Sequence, residues 1–315
     1  MKRVLVTGAR GFVGRRLVEL GGRAPDMAWT GIDREEGDLC DERVADRLIR
    51  EFAPDLVVHL AGIIGQPSDE EGRVRLRAVN AGGTRNILES LDRQALRTGT
   101  RPVLVLASTG LVYGAQPGPW SEVLPTMATD PYSRSKLEAE SYLAQVVSRG
   151  HVGGVALRPA LLYGPGQTGS MFLPSLARAL AEGSVFPMTP GAQRRDFLHV
   201  DDFSAAVLAV LARTDLLASD PSQPPWIANV GTGVGTRLLD VAEAALAFGR
   251  EMWPDCGRID PGAVPYRPDE SWDYRLSSGR LAAATGWSPT IPLEDGIRQC
   301  LLEARRLAST RGGSA

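Results

Sequence analysis

Cysteine is scarce in this chain: three residues, Cys40, Cys256 and Cys300, among 315. They stand far apart, odd in number, with no CxxC or Cys/His ligand spacing around them. That argues against a disulfide framework and leaves no motif for a metal centre. An excess of positive charge is also missing, since the formal net charge is −2. A nucleic-acid or anionic-membrane partner calls for a basic surface that displaces counterions, so neither is expected. Long apolar runs are absent too. The chain opens Met1-Lys2-Arg3, and the apolar segment that follows ends at Thr7-Gly8. It is too short for the apolar core of a signal peptide or for a membrane span. A reducing cytoplasm is the expected setting.

What is present is an ordinary globular composition, 43% hydrophobic and 23% charged, which argues for a folded chain. The length suits two domains, or one nucleotide fold carrying a substrate lobe. In the first half, short β-branched runs alternate with helical patterns, the signature of a parallel sheet covered on both faces. Strands are predicted at 3–7, 28–33, 55–60, 102–107 and 152–157. Helices are predicted at 12–20, 41–52, 80–96 and 131–148. Val44, Leu48 and Ile49 share one face of the second helix, and Pro54 closes it. After Gly164 prolines and glycines become denser and the alternation fades, with a return to the sheet at 226–230. The expected architecture is α/β: a doubly wound parallel (Rossmann) sheet over 1–165, to which the chain returns near 195–232. A smaller C-terminal substrate lobe takes up most of 166–315, and a polar tail is expected from about Ser309. Such folds bind ligands at the carboxyl ends of their strands.

Thr7-Gly8-Ala9-Arg10-Gly11-Phe12-Val13-Gly14 lies between the first strand and its helix. Gly8 permits a tight turn, Gly11 lets the backbone approach a pyrophosphate, and Gly14 allows close helix–sheet packing. The helix start at Phe12 and Val13 turns free N–H groups toward the phosphates. Asp33 stands at the end of the second strand. A carboxylate there accepts hydrogen bonds from the adenosine ribose and repels a 2′-phosphate, which favours NAD. Arg34 follows at once and suits a phosphate, so NADP is not excluded. Gly37-Asp38-Leu39 offers an adenine contact, with the Asp38 carboxylate facing the exocyclic amine; the alternative is a loop carboxylate in water.

Tyr132-Ser-Arg-Ser-Lys136 puts a phenol and an ammonium at i and i+4 of one helix. A free tyrosine titrates near ~10 and is a poor base at neutral pH. A neighbouring cation stabilises the phenolate and lowers that value, making the pair a usable general acid/base. By spacing alone such a pair is a common accident on helix surfaces. The strand ending in Ala107-Ser108-Thr109, followed by Gly110-Leu-Val-Tyr113-Gly114, gives it a context. A hydroxyl at that strand end can hydrogen-bond the reacting oxygen and hold it for Tyr132.

The order of motifs resembles the extended short-chain dehydrogenase/reductases, the NAD-dependent epimerase/dehydratase group. Thr7 to Gly14, His59-Leu-Ala-Gly62, Val79-Asn80-Ala-Gly-Gly83-Thr84, Ser108 to Gly114 and Tyr132 to Lys136 all carry the likeness. So do Leu157-Arg158-Pro159, Tyr163-Gly-Pro-Gly166, Arg195-Asp-Phe-Leu-His-Val-Asp-Asp202, Asn229-Val-Gly-Thr-Gly233 and Gly286-Trp287-Ser-Pro289, which together span the chain. The resemblance implies a triad of Thr109, Tyr132 and Lys136, with Lys136 also on the nicotinamide ribose. Ala61 and Gly62 would line the cofactor, Pro159 would border the nicotinamide pocket, and Ser108 would touch substrate. Tyr113 and Tyr163 are expected to be packing residues. A homodimer through the helices 80–96 and 131–148 is implied as well, and Trp120 to Asp130 with 166–173 would cover the substrate.

Dehydratases of this group carry acids directly after the catalytic hydroxyl, where elimination needs an extra acid/base pair. Gly110 and Leu111 stand there instead, which argues against dehydration. The second half is similar to sugar-nucleotide 4-ketoreductases of the GDP-6-deoxy-mannose reductase type, through 231–237, 267–270 and 278–289. That likeness makes Arg195 and Arg267 phosphate or nucleotide ligands and Glu270 a ribose acceptor; surface or ion-paired arginines are the alternative. Ala160-Leu161-Leu162 replaces the asparagine that usually contacts the diphosphate, and would suit a less polar substrate. The expected activity is hydride transfer to a nucleotide-activated 4-keto (deoxy)sugar. Alternatives are a nucleotide-sugar 4-epimerase, a dehydrogenase of a non-nucleotide hydroxy or keto compound, and a non-catalytic NAD(H) sensor.

Overall fold

The computed structural model describes residues 1–23, 26–213, 223–268 and 270–312. Its central sheet holds β1 (Lys2–Thr7), β2 (Met27–Ile32), β3 (Leu56–His59), β4 (Val103–Ala107), β5 (Gly153–Pro159) and the returning strand Trp226–Val230. Across the sheet the order is Trp226–Val230, β5, β4, β3, β1, β2, and every pairing is parallel. β3 pairs with β1 on the side opposite β2. The winding therefore reverses at β1, which opens a crevice at the carboxyl ends of β1 and β3.

Alternate strand residues point to opposite faces. Val4, Val6, Val58, Val105, Val155 and Leu157 pack with Leu17 of α1 (Phe12–Gly21) and with Phe203 and Val207 of a helix spanning Val200–Leu211. Leu5, Val57, Leu104, Leu106 and Ala156 pack on the other side with Ile87, Leu91, Leu143 and Val147. A sheet covered twice needs strands that are apolar on both faces, which is why Val4–Val6, Leu56–Val58 and β4 read as unbroken apolar runs.

α2 (Glu42–Phe52) starts on Asp41, whose side chain accepts from the Arg43 N–H at 2.8 Å. The helix expected at 80–96 is longer and composite. α3 (Glu70–Arg77), capped by Asp69, runs through a π-helical turn at Ala78–Gly82 into α4 (Gly83–Thr98). Only Leu76 of α3 is buried, so it lacks the apolar stripe that would have marked it. α5 (Pro131–Val147) opens with Asp130 accepting from the Ser133 N–H and with Pro131 in its first turn.

A second core gathers Leu173, Leu176, Phe197, Val241, Ala245, Ile297 and Leu301 in the C-terminal lobe. In place of a polar tail from Ser309, the helix Leu293–Gly312 runs on, and 313–315 lie outside the described residues. Among the described residues no helix is long and apolar enough to cross a membrane.

Candidate active site

The crevice at the reversal is a cleft of about 810 Å³. Its floor is made of backbone. Gly8 has φ +70°, and a Cβ there would come within 2.8 Å of the Ala61 nitrogen; a Cβ on Gly14 would lie 2.1 Å from the Gly8 carbonyl oxygen. No side chain caps α1 at Gly11, which leaves the first N–H groups of that helix free. Gly8, Gly11, Asp33, Asp38, Leu39, Ala61 and Gly62 all line the cleft. Glycine where any side chain would collide, at a helix start, over a cleft of this length, fits a dinucleotide. Phe12 borders a separate depression beside Arg15 and Arg16, and Val13 packs against the core. Gly14 acts through packing beneath the loop.

The Asp33 carboxylate is fixed at the end of β2 by the N–H groups of Arg10 (3.1 Å) and Arg34 (2.8 Å). Asp38 accepts from the Cys40 N–H at 2.9 Å, which holds its carboxyl below the usual range. Arg34 and Arg75 both border the cleft near Asp38. Arg75, on α3, has no counterpart among the motifs because that helix left no periodic trace.

Beneath the cleft a directed chain of hydrogen bonds ties β1, β3 and α4 together. Ala61 N–H donates to Thr7 Oγ1 (3.2 Å), which faces His59 Nδ1 at 2.7 Å. His59 Nε2 faces Thr84 Oγ1 at 3.1 Å, and that hydroxyl donates to the Asn80 carbonyl at 2.6 Å. The chain closes only with the proton on Nε2. Burial, with the Lys136 charge adding to it, brings the His59 pKa down to about 3, so the ring is neutral. Asn80, carried on the π-turn, grips Ile63 through both its N–H (2.7 Å) and its carbonyl (3.0 Å), and donates to Ser135 (3.0 Å). These residues align the Gly62 loop over α5.

Thr109, Tyr132 and Lys136 converge at the end of β4. Lys136 Nζ donates to the Ala107 carbonyl at 2.9 Å, and a Cβ on Gly62 would lie 3.3 Å from that nitrogen. The ammonium therefore sits against the cleft floor. Burial lowers its pKa to about 8, with Glu140 pulling the other way. The Tyr132 pKa moves upward, to about 12, with the nearby Thr109 hydroxyl pulling the other way. This is opposite to the lowering that the Tyr132/Lys136 spacing predicts. Burial outweighs every other influence here, because a phenolate without solvent is costly.

Ser108 does not face the cleft. Its hydroxyl donates to Glu140 at 2.5 Å, and Glu140 in turn holds Arg158 at 2.9 and 2.6 Å. Arg158 donates to Tyr113, which donates to Asn229, both at 2.9 Å. Tyr113 thus packs and also carries a hydrogen bond across three strands' worth of sheet. Pro159 is buried and offers its carbonyl to Tyr274 at 3.2 Å.

On the lobe side Arg195 pairs with Glu270 and donates to the Ser271 carbonyl at 2.6 Å. The two residues read as separate ligands therefore neutralise each other, while Arg267 stands exposed beside them. The apolar run 160–162 is structural: Ala160 bonds to Val230, and the strand Leu161–Tyr163 pairs with Phe197–His199. Trp120, expected as a substrate cover, is wholly buried and stacks on Tyr274.

Comparison with known proteins matches this arrangement. The profile of the NAD dependent epimerase/dehydratase family matches residues 4–231. A UDP-glucose 4-epimerase of Mycolicibacterium smegmatis is 30% identical, over 94% of this chain and 96% of its own length. A GDP-6-deoxy-D-mannose reductase of Pseudomonas aeruginosa is 30% identical over 95% of this chain and 96% of its own. The solved structure of RMD from Pseudomonas aeruginosa complexed with NADPH superposes with a TM-score of 0.81 at 27% identity, covering 97% of this chain and 100% of that one.

Proposed function

The chain belongs to the NAD-dependent epimerase/dehydratase family, and on that premise we propose that it reduces the 4-keto group of a nucleotide-activated deoxysugar. It is an NAD(P)-dependent enzyme, and a bound dinucleotide supplies the hydride. The protein's own residues handle the oxygen. Tyr132 gives its phenol proton to the carbonyl oxygen as that oxygen becomes an alcohol, Thr109 holds the oxygen in line, and Lys136 stands under the cleft floor.

The observation that supports this reading is the gathering of Thr109, Tyr132 and Lys136 at the end of β4 beside the dinucleotide cleft, with Lys136 Nζ on the Ala107 carbonyl and a glycine, not an acid, directly after Thr109. Gly110 leaves no acid beside Thr109, which speaks against elimination. Asp33 favours NAD, while Arg34 and Arg75 suit the extra phosphate of NADP.

The test follows reduced dinucleotide at 340 nm when GDP-6-deoxy-D-mannose is supplied with NAD or NADP, the reaction run in reverse. UDP-glucose is assayed in parallel by anion-exchange chromatography. Reduced dinucleotide formed with the GDP-deoxysugar supports the proposal. Conversion of UDP-glucose to its 4-epimer, with no net absorbance change, would favour the epimerase that the 30% identical relative suggests. No reaction with either would remove the sugar-nucleotide reading.

A homodimer is also proposed. Val74, Ala78, Ala81, Gly82 and Tyr142, together with the charged Arg77, Arg85 and Glu138, line a shallow depression on the outer face of α3, the π-turn, α4 and α5, and Val74 is 59% exposed. Sedimentation equilibrium at micromolar concentration, compared with Val74→Arg, decides it: loss of a dimer in the variant supports this face, and a wild-type monomer refutes it.

A further inference from the structure

Arg34 follows Asp33 on the turn after β2, and Arg75 stands on α3. Both line the dinucleotide cleft, and both also line an adjoining depression of about 420 Å³ with Asp38, Cys40, Ala78 and Val79. Both residues are exposed, and neither guanidinium makes a hydrogen bond or an ion pair among the described residues. The arginines around them differ. Arg10 pairs with Glu36 at 3.1 Å, and on α3 itself Arg73 holds Glu70 at 2.9 Å and Arg77 holds Glu138 at 2.7 Å. The carboxylates nearby are already engaged. Asp38 accepts from the Cys40 N–H at 2.9 Å, and the two oxygens of Asp33 accept from Arg34 at 2.8 Å and Arg10 at 3.1 Å. Asp33 would repel a phosphate on the ribose, but these N–H dipoles offset part of its charge. The donors still free at this end of the cleft are therefore two guanidiniums, the groups best suited to a phosphate.

We propose that Arg34 and Arg75 bind the 2′-phosphate of NADP and make it the preferred dinucleotide, with Arg75 the stronger determinant. Arg75 has the firmer seat, because α3 is capped by Asp69 and anchored by the buried Leu76; less freedom is lost when it closes on a ligand. The proposal rests on the dinucleotide reading of the cleft and is independent of the sugar that is turned over.

The test measures binding rather than turnover. Calorimetry at low salt compares NADP with NAD, and adenosine 2′,5′-bisphosphate with AMP, on wild type, Arg75→Gln, Arg34→Gln and Arg73→Gln. Wild type is expected to bind NADP about tenfold more tightly than NAD, and the bisphosphate more tightly than AMP by a similar factor, the scale of one charge-assisted hydrogen bond. Arg75→Gln should remove most of that margin and Arg34→Gln part of it, each leaving NAD affinity near wild type. Arg73→Gln, whose guanidinium is tied to Glu70, should leave the margin intact. Added salt should narrow it, since the two guanidiniums are exposed. A margin that survives in Arg75→Gln, or that falls as far in Arg73→Gln, would overturn the proposal. Equal losses of NAD and NADP in Arg75→Gln would overturn it too, because the residue would then support the fold and read no phosphate. Wild type that binds both dinucleotides alike removes this inference alone. Wild type that binds neither removes the dinucleotide reading as well.

Discussion

Replacing Lys136 by methionine should stabilise the ligand-free chain while destroying its hold on the dinucleotide. Lys136 is 6% exposed, and its ammonium keeps one hydrogen bond, to the Ala107 carbonyl. Burial carries its pKa from 10.5 down to about 8. Each pH unit corresponds to about 1.4 kcal/mol, so holding the proton at neutral pH costs the fold roughly 3 kcal/mol. The sign follows from proton counting. Between pH 8 and 10.5 the unfolded chain binds more protons than the folded one, so stability rises with pH across that window. Below it the penalty is complete. Methionine preserves most of the packing of the stem and leaves the Ala107 carbonyl without its partner, at about 1 kcal/mol. The balance is a gain of about 2 kcal/mol, several degrees in melting temperature for a chain of this size. The assay is thermal melting near neutral pH and again near pH 10, with and without NAD. The variant should melt higher than wild type at neutral pH, lose most of that advantage at high pH, and show no shift with NAD. A variant that melts lower at neutral pH, or that responds to NAD as wild type does, would refute the reasoning.

Gly14→Ala should abolish measurable dinucleotide binding by calorimetry, because its Cβ would lie 2.1 Å from the Gly8 oxygen; affinity within tenfold of wild type would show that the loop has room to relax. Glu140→Gln leaves the buried Arg158 charge uncompensated and should cost about 3–5 kcal/mol, read as a lower urea midpoint with an unchanged slope. A midpoint equal to wild type would mean that water reaches Arg158. His59 is held neutral with a pKa of about 3, against 6.5 ordinarily. The folded chain binds fewer protons in that window, so the stability from neutral His59 is complete above about 6.5 and lost as pH falls toward 3. His59→Gln should flatten this acid limb in urea melts, and a limb as steep as wild type would assign it to other groups.

The glycine loop, the strand alternation and the Tyr132/Lys136 spacing were legible in sequence because each is local. A turn, a period of two and one helical turn all lie within a few residues. α3 was not legible, since it buries Leu76 alone and its neighbour is a π-turn that breaks the helical period. The strand Leu161–Tyr163 pairs with Phe197–His199, a partner too far along the chain for any local pattern to show. Arg195 and Glu270 satisfy each other across 75 residues, and Ser108 finds Glu140 32 residues on. No spacing rule anticipates either. Tyr274 is the extreme case, a lone aromatic from the last third of the chain that fills the space beside Gly110. The Tyr132 pKa moves opposite to the direction its spacing predicts, because the cation four residues away is visible in sequence, whereas burial is not.

One comparison tests the role of Tyr132 most directly. Wild type and Tyr132→Phe are each given GDP-6-deoxy-D-mannose with NAD or NADP, hydride transfer is followed at 340 nm, and dinucleotide affinity is measured on the same samples. Reduced dinucleotide is expected from the wild-type chain, with a rate lower by about 10²–10⁴ in the variant and dinucleotide affinity unchanged. A variant that keeps most of the wild-type rate would contradict this role, since the proton of the sugar hydroxyl would then be going somewhere other than Tyr132.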